Sequence, residues 1–397
     1  MWILLVIFLF FISIYLSIKL RFKNYKINIK ELLAGDKSGL FLSLATKIGV
    51  GSVIGTLSSI IIGGFSSVIW MIIFSLLSTS LIYSESKLGN IYKQTINNKN
   101  IGGPYFIIRN GLNNKYLSII SVIIILVLYS YLFQMIQINT ISNILKNTLN
   151  LNNLCIILII FCIISIIIRC DINTISKYIN KIVPFKCILF IIICLFGIVS
   201  HFDELLFQTK ILINNLLTFK SIFSGLVIGI KRSIFMNEIL IGTTSISSGS
   251  DSSSVEVSTK YQIIGVYFIS IVITLLITCL VLIYSYSHSL VSDYNLLIIK
   301  IFSYTNNKSG IYLITIILIL FAFTTLLSGY YILESHINYL IYKKSIKNII
   351  KISFLIILTL SSIIDSSFLW KYTDIFIFIM IIINSYSIIK LLKDVLK

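Results

Sequence analysis

Charged residues are scarce in this chain. Only 12% of its 397 residues are charged and 57% are hydrophobic, whereas a soluble domain carries about 25% charged residues. Proline is nearly missing, with two occurrences. This suits helices whose backbone groups are hydrogen-bonded within the segment, as lipid requires. The composition excludes a soluble domain and predicts an all-α integral membrane protein.

The apolar runs lack the alternation of apolar and polar residues that is typical of a membrane β-barrel strand. They are continuous and approach the ~20 residues that a helix needs to cross a bilayer. We predict about eleven transmembrane helices. The first covers the N-terminal residues to about 20 and lacks the basic leader and cleavage site of a signal peptide. The others are predicted near residues 43–64, 66–86, 117–146, 154–169, 182–200, 222–246, 261–285, 310–335, 350–366 and 373–392.

Clusters of catalytic or metal-binding residues are also missing. The six cysteines lie in or beside apolar runs without a metal-like spacing, which indicates packing residues. The three histidines are scattered, and we find neither paired carboxylates nor a nucleophile with a base. The sequence therefore predicts a protein that is not an enzyme and has no cofactor.

Lysine and arginine outnumber aspartate and glutamate by 32 to 14. In a soluble protein this excess would suggest nucleic acid as a partner. Here the positive charges fall in alternate loops, near residues 87–116, 170–181 and 336–351, as expected for cytoplasmic loops that meet anionic lipid heads. We therefore predict the lipid bilayer and no nucleic acid as partner, the cell (inner) membrane as location, an external N-terminus and a cytoplasmic C-terminus.

The predicted spans that follow the first helix divide into two sets of five. An odd number of spans in each set inverts the second set relative to the first, and inverted repeats are common in secondary transporters. We predict an N-terminal helix and basic turn over residues 1–30, a first repeat over 31–200 and an inverted second repeat over 201–397. Together they would form one transport domain.

Each predicted repeat begins with a span that is interrupted by glycine or polar residues. Gly49, Gly51 and Gly55 interrupt the first, and Asn237 and Gly242 the second. Glycine admits unwound backbone, and backbone groups freed within a membrane must face a cavity or a ligand. Half-helix N-termini can hold a carboxylate and unwound carbonyls a cation. The breaks therefore predict a site for an amino acid with sodium, with close helix packing as the alternative.

Polar side chains inside other predicted spans strengthen this interpretation. Gln134, Gln137 and Asn139 can line a cavity wall or hydrogen-bond across helices. Thr324 and Thr325 offer adjacent hydroxyls, which suit a reversible sodium site or bond back to the carbonyl four residues earlier.

One carboxylate is predicted to lie inside the membrane. Glu238 lies within the polar interruption of the second repeat, next to Asn237, and an intramembrane carboxylate is a functional candidate by default. The alternative is a structural ion pair with Lys231 or Arg232, one or two turns earlier in the chain.

Several motifs, in this order and spacing, resemble the alanine or glycine:cation symporters, also called sodium:alanine symporters. The resemblance covers nearly the whole chain. One part of it is Ile48-Gly49-Val50-Gly51-Ser52-Val53-Ile54-Gly55, which is similar to that family's first broken helix. The other motifs lie at residues 102–105, 135–140, 181–185, 235–238 and 321–325.

The resemblance implies the inverted-repeat fold of the bacterial leucine transporter, with a small neutral amino acid held between the two broken helices. It also implies sodium as the coupling ion, between the first and eighth core helices. The implied sodium ligands are the carbonyls of Ala45 and Ile48 and the hydroxyls of Thr324 and Thr325. The implied substrate-binding residues are Gly49, Val50, Gly51, Ser52, Gln137, Asn237 and Gly242.

The chain departs from the family pattern at several places. Val50 and Ser52 stand where the family usually has threonine and asparagine. Gly329 stands where a tryptophan is expected, which predicts a larger or looser cavity. Lys186 replaces an apolar residue. It can supply a fixed positive charge in place of a cation, but we favour the interpretation that it snorkels to the cytoplasmic interface.

The function implied by these features is import of alanine or glycine, coupled to sodium by alternating access. One alternative is a proton-coupled or uncoupled transporter of the same fold, with Lys186 or Glu238 as the switching charge. A diverged membrane protein that no longer transports is the other.

Overall fold

The computed structural model describes residues 2–26, 32, 35, 37–96, 99–216, 219–341 and 343–397, and almost all of them are helical. The predicted boundary between residues 30 and 31 lies outside the described residues. The helices up to residue 200 are α1 Trp2–Lys19, α2 Ser38–Lys47, α3 Val50–Gly63, α4 Ser66–Leu77, α5 Thr79–Ile91, α6 Lys115–Leu149, α7 Asn153–Arg169 and α8 Ile172–Ser200.

The remaining helices are α9 Phe202–Leu216, α10 Phe219–Ser224, α11 Leu226–Asn237, α12 Thr243–Gly249, α13 Val255–Ser287, α14 Tyr294–Thr305, α15 Asn307–Leu340, α16 Lys344–Leu360, α17 Ser366–Lys390 and α18 Leu392–Leu396. Two strands, β1 Gln94–Ile96 and β2 Lys99–Ile101, pair antiparallel in the segment between α5 and α6. Short 3-10 helices occupy Lys23–Tyr25 and Ser361–Ile363, and a single α-helical turn at Pro104–Phe106 continues into a π-helical turn at Ile107–Gly111.

Seven helices in the described part of the chain are long and apolar enough to cross a membrane. The number is nine if α2 with α3 and α4 with α5 each form one bent span, since these pairs bend by 44° and 41°. The two other predicted spans correspond to the shorter apolar helix α7 and to the interrupted pair α11 and α12. The chain is thus a multi-pass membrane protein, and the count of eleven stays a prediction.

Polar residues at helix starts explain several boundaries. The side chain of Asn114 accepts a hydrogen bond of 2.9 Å from the amide of Leu117 at the start of α6, and Asn152 accepts one of 2.8 Å from Cys155 at the start of α7. Asp171 caps α8 in the same way. Such caps satisfy amides that have no partner within the helix.

The loop predicted at residues 170–181 is much shorter in the structure, so its predicted extent is wrong. Helix α8 begins at Ile172, directly after its cap Asp171, and runs through Pro184 to Ser200. The predicted span began at residue 182 because polar residues precede it. They are compatible with helix here since many of them are exposed, among them Asn173, Lys177 and Lys181.

The short helices of the breaks lie in the interior of the bundle. Helix α2 packs against α8, α12, α13 and α15, while α3 packs against α11 and α13. Helices α5 and α12 approach very closely, since a Cβ atom at Gly89 would lie 2.5 Å from the carbonyl oxygen of Ser245. Small residues permit such close packing of membrane helices. The interior of the bundle therefore holds both interrupted segments.

Candidate functional site

The first break separates α2 from α3 at Ile48 and Gly49, whose backbone leaves the helical conformation. Position 49 requires glycine because side chains of neighbouring helices lie close to its Cα atom. A Cβ atom there would lie 2.7 Å from Thr325 Oγ1 and 2.9 Å from Gln137 Oε1, closer than non-bonded atoms can pack. The break thus brings residues of α6 and α15 against its backbone.

Gln137 is hydrogen-bonded to the start of α3. Its Oε1 accepts a hydrogen bond of 2.8 Å from the amide of Val50, one of the helix amides that have no intrahelical acceptor. Ser52 Oγ donates to the carbonyl of Gly49 at 2.7 Å. A Cβ atom at Gly51 would lie 3.3 Å from Gln137 Nε2. The structure therefore gathers the predicted residues of the first break around Gln137.

The four predicted sodium ligands also come together. Thr325 Oγ1 lies 3.2 Å from the carbonyl oxygen of Ala45 and 2.9 Å from that of Phe321. Thr324 Oγ1 donates to the Phe321 carbonyl at 3.0 Å. Ala45, Thr324 and Thr325 are fully buried, as is Ile48. The hydroxyls of α15 thus lie beside the carbonyl end of α2.

An ammonium group lies among these ligands. Lys186 Nζ of α8 donates a hydrogen bond of 2.6 Å to the carbonyl of Ile48 and another to Thr324 Oγ1. Lys186 is 0% exposed, so the favoured prediction that it snorkels to the interface is wrong. The physical reason is the length of α8, which begins 14 residues before Lys186 and so places it about 20 Å along the helix.

Lys186 is thus the hydrogen-bond donor to two of the four oxygens of the predicted sodium site. The oxygens of Ile48 and Thr324 already accept hydrogen bonds from an ammonium group. That group also lies 5.0 Å from the centroid of the Phe321 ring, within the range of a cation–π contact.

The second break occupies residues 238–242, between α11 and α12. Glu238, Leu240 and Gly242 have φ angles of 54°, 59° and 109°, so the chain turns sharply here. The carbonyl of Leu240 is satisfied by Asn384 Nδ2 of α17 at 2.7 Å. A Cβ atom at Gly242 would lie 2.6 Å from Pro104 Cγ. Glycine is thus required both by its φ angle and by Pro104.

The carboxylate of Glu238 does not pair with a basic residue of α11, so that predicted alternative is wrong. Its Oε2 accepts a hydrogen bond of 2.5 Å from Thr243 Oγ1, at the start of α12. Lys231 forms an ion pair with Asp374 of α17, and the guanidinium of Arg232 lies 4.5 Å from the Trp370 ring centroid. Glu238 therefore links the two sides of the second break.

Two predicted substrate residues lie apart from the first break. The side-chain amide of Asn237 donates to Ser75 Oγ at 2.8 Å and to the carbonyl of Ser233 at 3.1 Å, and its oxygen accepts from Ser270 Oγ at 3.1 Å. These contacts tie α11 to α4 and α13. Gly242 faces Pro104. Neither residue is brought together with Gln137 by these contacts.

Other polar residues of α6 hold helices together. Asn139 Nδ2 donates to the carbonyl of Ile364 at 2.6 Å. Gln134 Nε2 donates to the carbonyl of Tyr129 at 3.1 Å, and a Cβ atom at Gly329 would collide with it. The expectation of a looser cavity at Gly329 is therefore wrong, because Gln134 fills the space beside it.

Sequence reasoning missed an aromatic cover over the first break. The ring of Phe235 lies 4.8 Å, centroid to centroid, from both Phe133 and Trp370. One edge of it, Cε1, would be 3.1 Å from a Cβ atom at Gly51. Phe235 was part of a motif that carried the resemblance, but no sequence signal showed where its ring points.

Fold and site together define a multi-pass membrane protein of the transporter class, with interrupted helices that meet in the interior of the bundle. The chain belongs to the sodium:alanine symporter family, whose model matches residues 1–397. The sequence-based identification of the family is thereby confirmed.

The relatives in this family are distant in sequence. The chain is 25% identical to a probable sodium/glutamine symporter of Bacillus subtilis, over 99% of this chain and 86% of that protein. It is 25% identical to an amino-acid carrier protein of the same organism, over 89% and 77% of the two chains. It is 22% identical to a sodium/alanine symporter of Methanococcus maripaludis, over 90% and 82%. A solved manganese transporter of Eremococcus coleocola is similar with a TM-score of 0.44 and 15% identity, over 89% of this chain and 70% of that one.

Proposed function

We propose that this protein is a secondary active transporter that imports a small neutral amino acid, alanine or glycine, by alternating access. The observation that carries the proposal is the convergence of Gln137 and Thr325 on Gly49 at the first helix break. Family membership supports an amino acid as cargo and sodium as the coupling ion.

The first break is suited to a carboxylate. The start of α3 carries the positive end of the helix dipole, and its amides point toward an incoming anion. In the present conformation the amide of Val50 is taken by Gln137 Oε1. A substrate carboxylate would replace Gln137 at this amide, and the side chain of Gln137 would turn to line the pocket.

Small substrates are favoured by the narrow space at this break. Gly49 and Gly51 have no Cβ atom, so a small ligand can reach the backbone of the break. The ring of Phe235 lies close to Gly51 and limits the space for that ligand. A large side chain on the substrate would have to displace Phe235 and the rings packed on it, Phe133 and Trp370.

We further propose the predicted architecture of one helix followed by two inverted sets of five. The interrupted segments α2 with α3 and α11 with α12 support it, because each falls at the start of a predicted repeat. In this arrangement the N-terminus is external, the C-terminus cytoplasmic, and the two breaks face one translocation route.

Uptake by purified protein in proteoliposomes tests the proposed function. Labelled alanine and glycine are expected to accumulate when an inward ion gradient is imposed, whereas labelled leucine and protein-free vesicles serve as controls. Sodium and proton gradients are imposed separately and together. Failure of both amino acids to enter under every gradient, with the protein correctly folded, would contradict the proposal.

A second candidate is a carrier of the same fold that does not need sodium at the predicted site. It is favoured by one observation, the hydrogen bonds of Lys186 to Ile48 and Thr324. Uptake of alanine that is equal in sodium and potassium solutions distinguishes it from the sodium-coupled form.

A further inference from the structure

We propose that the ammonium group of Lys186 takes the place of a sodium ion at the site formed by Ala45, Ile48, Thr324 and Thr325. The wild-type protein then binds its amino acid without sodium at this position. The inference rests on the proposed amino-acid transport and develops its second candidate, the carrier that does not need sodium at the predicted site, since it concerns how that site is held in its binding conformation.

The first support is the pair of oxygens that Lys186 contacts. One is the carbonyl of Ile48, in the break after α2, and the other is the hydroxyl of Thr324, on α15. A bound cation would connect the same two helices through the same two oxygens. Lys186 makes this connection from a third helix, α8, so the link is covalently attached to the protein and cannot dissociate.

The second support is the electrostatic environment. The C-terminal end of α2 carries the negative end of the helix dipole, which favours a cation. The face of the Phe321 ring adds a second attraction at 5.0 Å. None of the ion pairs formed by described residues includes Lys186. The groups that face its amino group are therefore the uncharged oxygens of the predicted ion site and the Phe321 ring.

The third support is the contrast with the other buried lysine near the break. Lys47 ends α2, and its Nζ donates to Ser43 Oγ at 2.8 Å, one turn earlier on the same helix. No hydrogen bond between described residues joins Lys47 Nζ to a predicted sodium ligand. Burial of a lysine near the break is thus not sufficient to place it in the cation site, and Lys47 offers a matched control.

A mobile sodium ion and the fixed ammonium cannot share the oxygens of Ile48 and Thr324, because two positive charges in contact with the same oxygen repel each other. Removing the ammonium should therefore recreate the requirement for an ion. The shorter the replacement side chain, the more space it leaves for sodium.

The test uses full-length protein purified in detergent, in solutions of equal ionic strength that contain sodium or potassium chloride. Alanine affinity and the midpoint of thermal unfolding are measured for the wild type, Lys186→Ala, Lys186→Met and Lys47→Met. The wild type should bind alanine equally in both salts and show no stabilisation specific to sodium.

The Lys186→Ala variant should acquire a sodium requirement. We expect its alanine affinity to fall by about tenfold or more in potassium and to recover in sodium, within the range of ordinary coupling between two ligands. Its unfolding midpoint should rise with sodium but not with potassium. Lys186→Met, which keeps the apolar stem but not the charge, should bind weakly in both salts. Lys47→Met should keep the salt response of the wild type.

The opposite outcome is a wild type that binds alanine only in sodium, together with a Thr324→Ala variant that needs more sodium than the wild type. Sodium would then bind at Thr324 in spite of Lys186, and the inference would be overturned even if Lys186→Ala did not fold. A folded wild type that binds neither alanine nor glycine in any salt would instead contradict the proposed function. The response of Lys186→Ala unfolding to sodium would still decide the role of Lys186.

Discussion

Gln137 Oε1 accepts a hydrogen bond of 2.8 Å from the backbone amide of Val50, so that α6 caps the first turn of α3. This contact stabilises the break, because the amide has no acceptor within its own helix. It also occupies the donor that a substrate carboxylate would use. Under the proposed function, the same side chain therefore stabilises the break and has to move when an amino acid binds.

Replacing Gln137 separates these two roles. Gln137→Ala leaves the buried amide of Val50 unpaired, which should lower the free energy of unfolding by about 1–3 kcal/mol. Gln137→Glu places a carboxylate near the proposed position of the substrate carboxylate and should abolish alanine binding in a folded protein. Thermal unfolding and alanine binding are measured on the same samples.

Gln134→Ala is the matched control, because Gln134 lies on the same helix as Gln137 but contacts Tyr129 of α6 and Gly329 of α15 instead of the break. It should reduce stability without a selective loss of binding. If Gln137→Glu binds alanine as tightly as the wild type, the amide of Val50 is not part of the substrate site.

The glycines of the first break should differ in their tolerance of alanine. A Cβ atom at Gly49 would lie 2.7 Å from Thr325 Oγ1, whereas the nearest atom at Gly55 is Met236 Cγ at 3.1 Å. Thr325 is held by hydrogen bonds, but a methionine adapts its rotamers easily. Overpacking destabilises the folded state by about 1–3 kcal/mol. We therefore expect Gly49→Ala to reduce alanine uptake by about tenfold or more.

Gly55→Ala should keep most of the uptake, when uptake is normalised to the amount of folded transporter in the vesicles. Equal effects of the two substitutions would show that the close approach at Gly49 has no special role in transport.

The positions of both breaks could be predicted because glycine and polar residues are unusual within an apolar span. Gly49 and Gly242 are placed at non-helical positions by the structure, as that pattern predicts. The environment of Lys186 could not be predicted in the same way. Its surroundings depend on where α8 begins, and the cap Asp171 lies beyond a stretch of polar residues that is typical of a loop.

Side-chain directions were the other limit of prediction. Asn237 and Asn139 were candidates for a cavity wall, but their amides bond to neighbouring helices. Lining a cavity and bonding to a neighbouring helix both satisfy the same rule, that a polar group in a membrane interior has a hydrogen-bond partner. The rule does not tell whether that partner is protein or ligand, and only the packing of α4, α13 and the turn after α16 decides it.

Asn384 should be a stability determinant of the second break. Its Nδ2 is hydrogen-bonded to the carbonyl of Leu240 at 2.7 Å, and both residues are buried. Asn384→Ala leaves that carbonyl without this donor, which should lower the free energy of unfolding by about 1–3 kcal/mol. Asn338→Ala, at an exposed position of α15, is the control. A thermal unfolding midpoint for Asn384→Ala equal to that of Asn338→Ala would show that the carbonyl has another partner.

Gly242→Ala and Gly64→Ala should separate backbone strain from steric contact at the second break. Both glycines have positive φ angles, 109° and 69°, which an alanine adopts at a cost of about 1–3 kcal/mol. Only Gly242 is also crowded, since its Cβ atom would lie 2.6 Å from Pro104 Cγ, whereas nothing lies within 4 Å at Gly64. Gly242→Ala should therefore lower the unfolding midpoint further than Gly64→Ala and should also reduce alanine uptake. Because Pro104 is a rigid ring in the segment that precedes α6, it cannot yield as a flexible side chain would. Equal unfolding midpoints for the two variants would mean that Pro104 moves away from the break, and that this contact does not fix the position of α12.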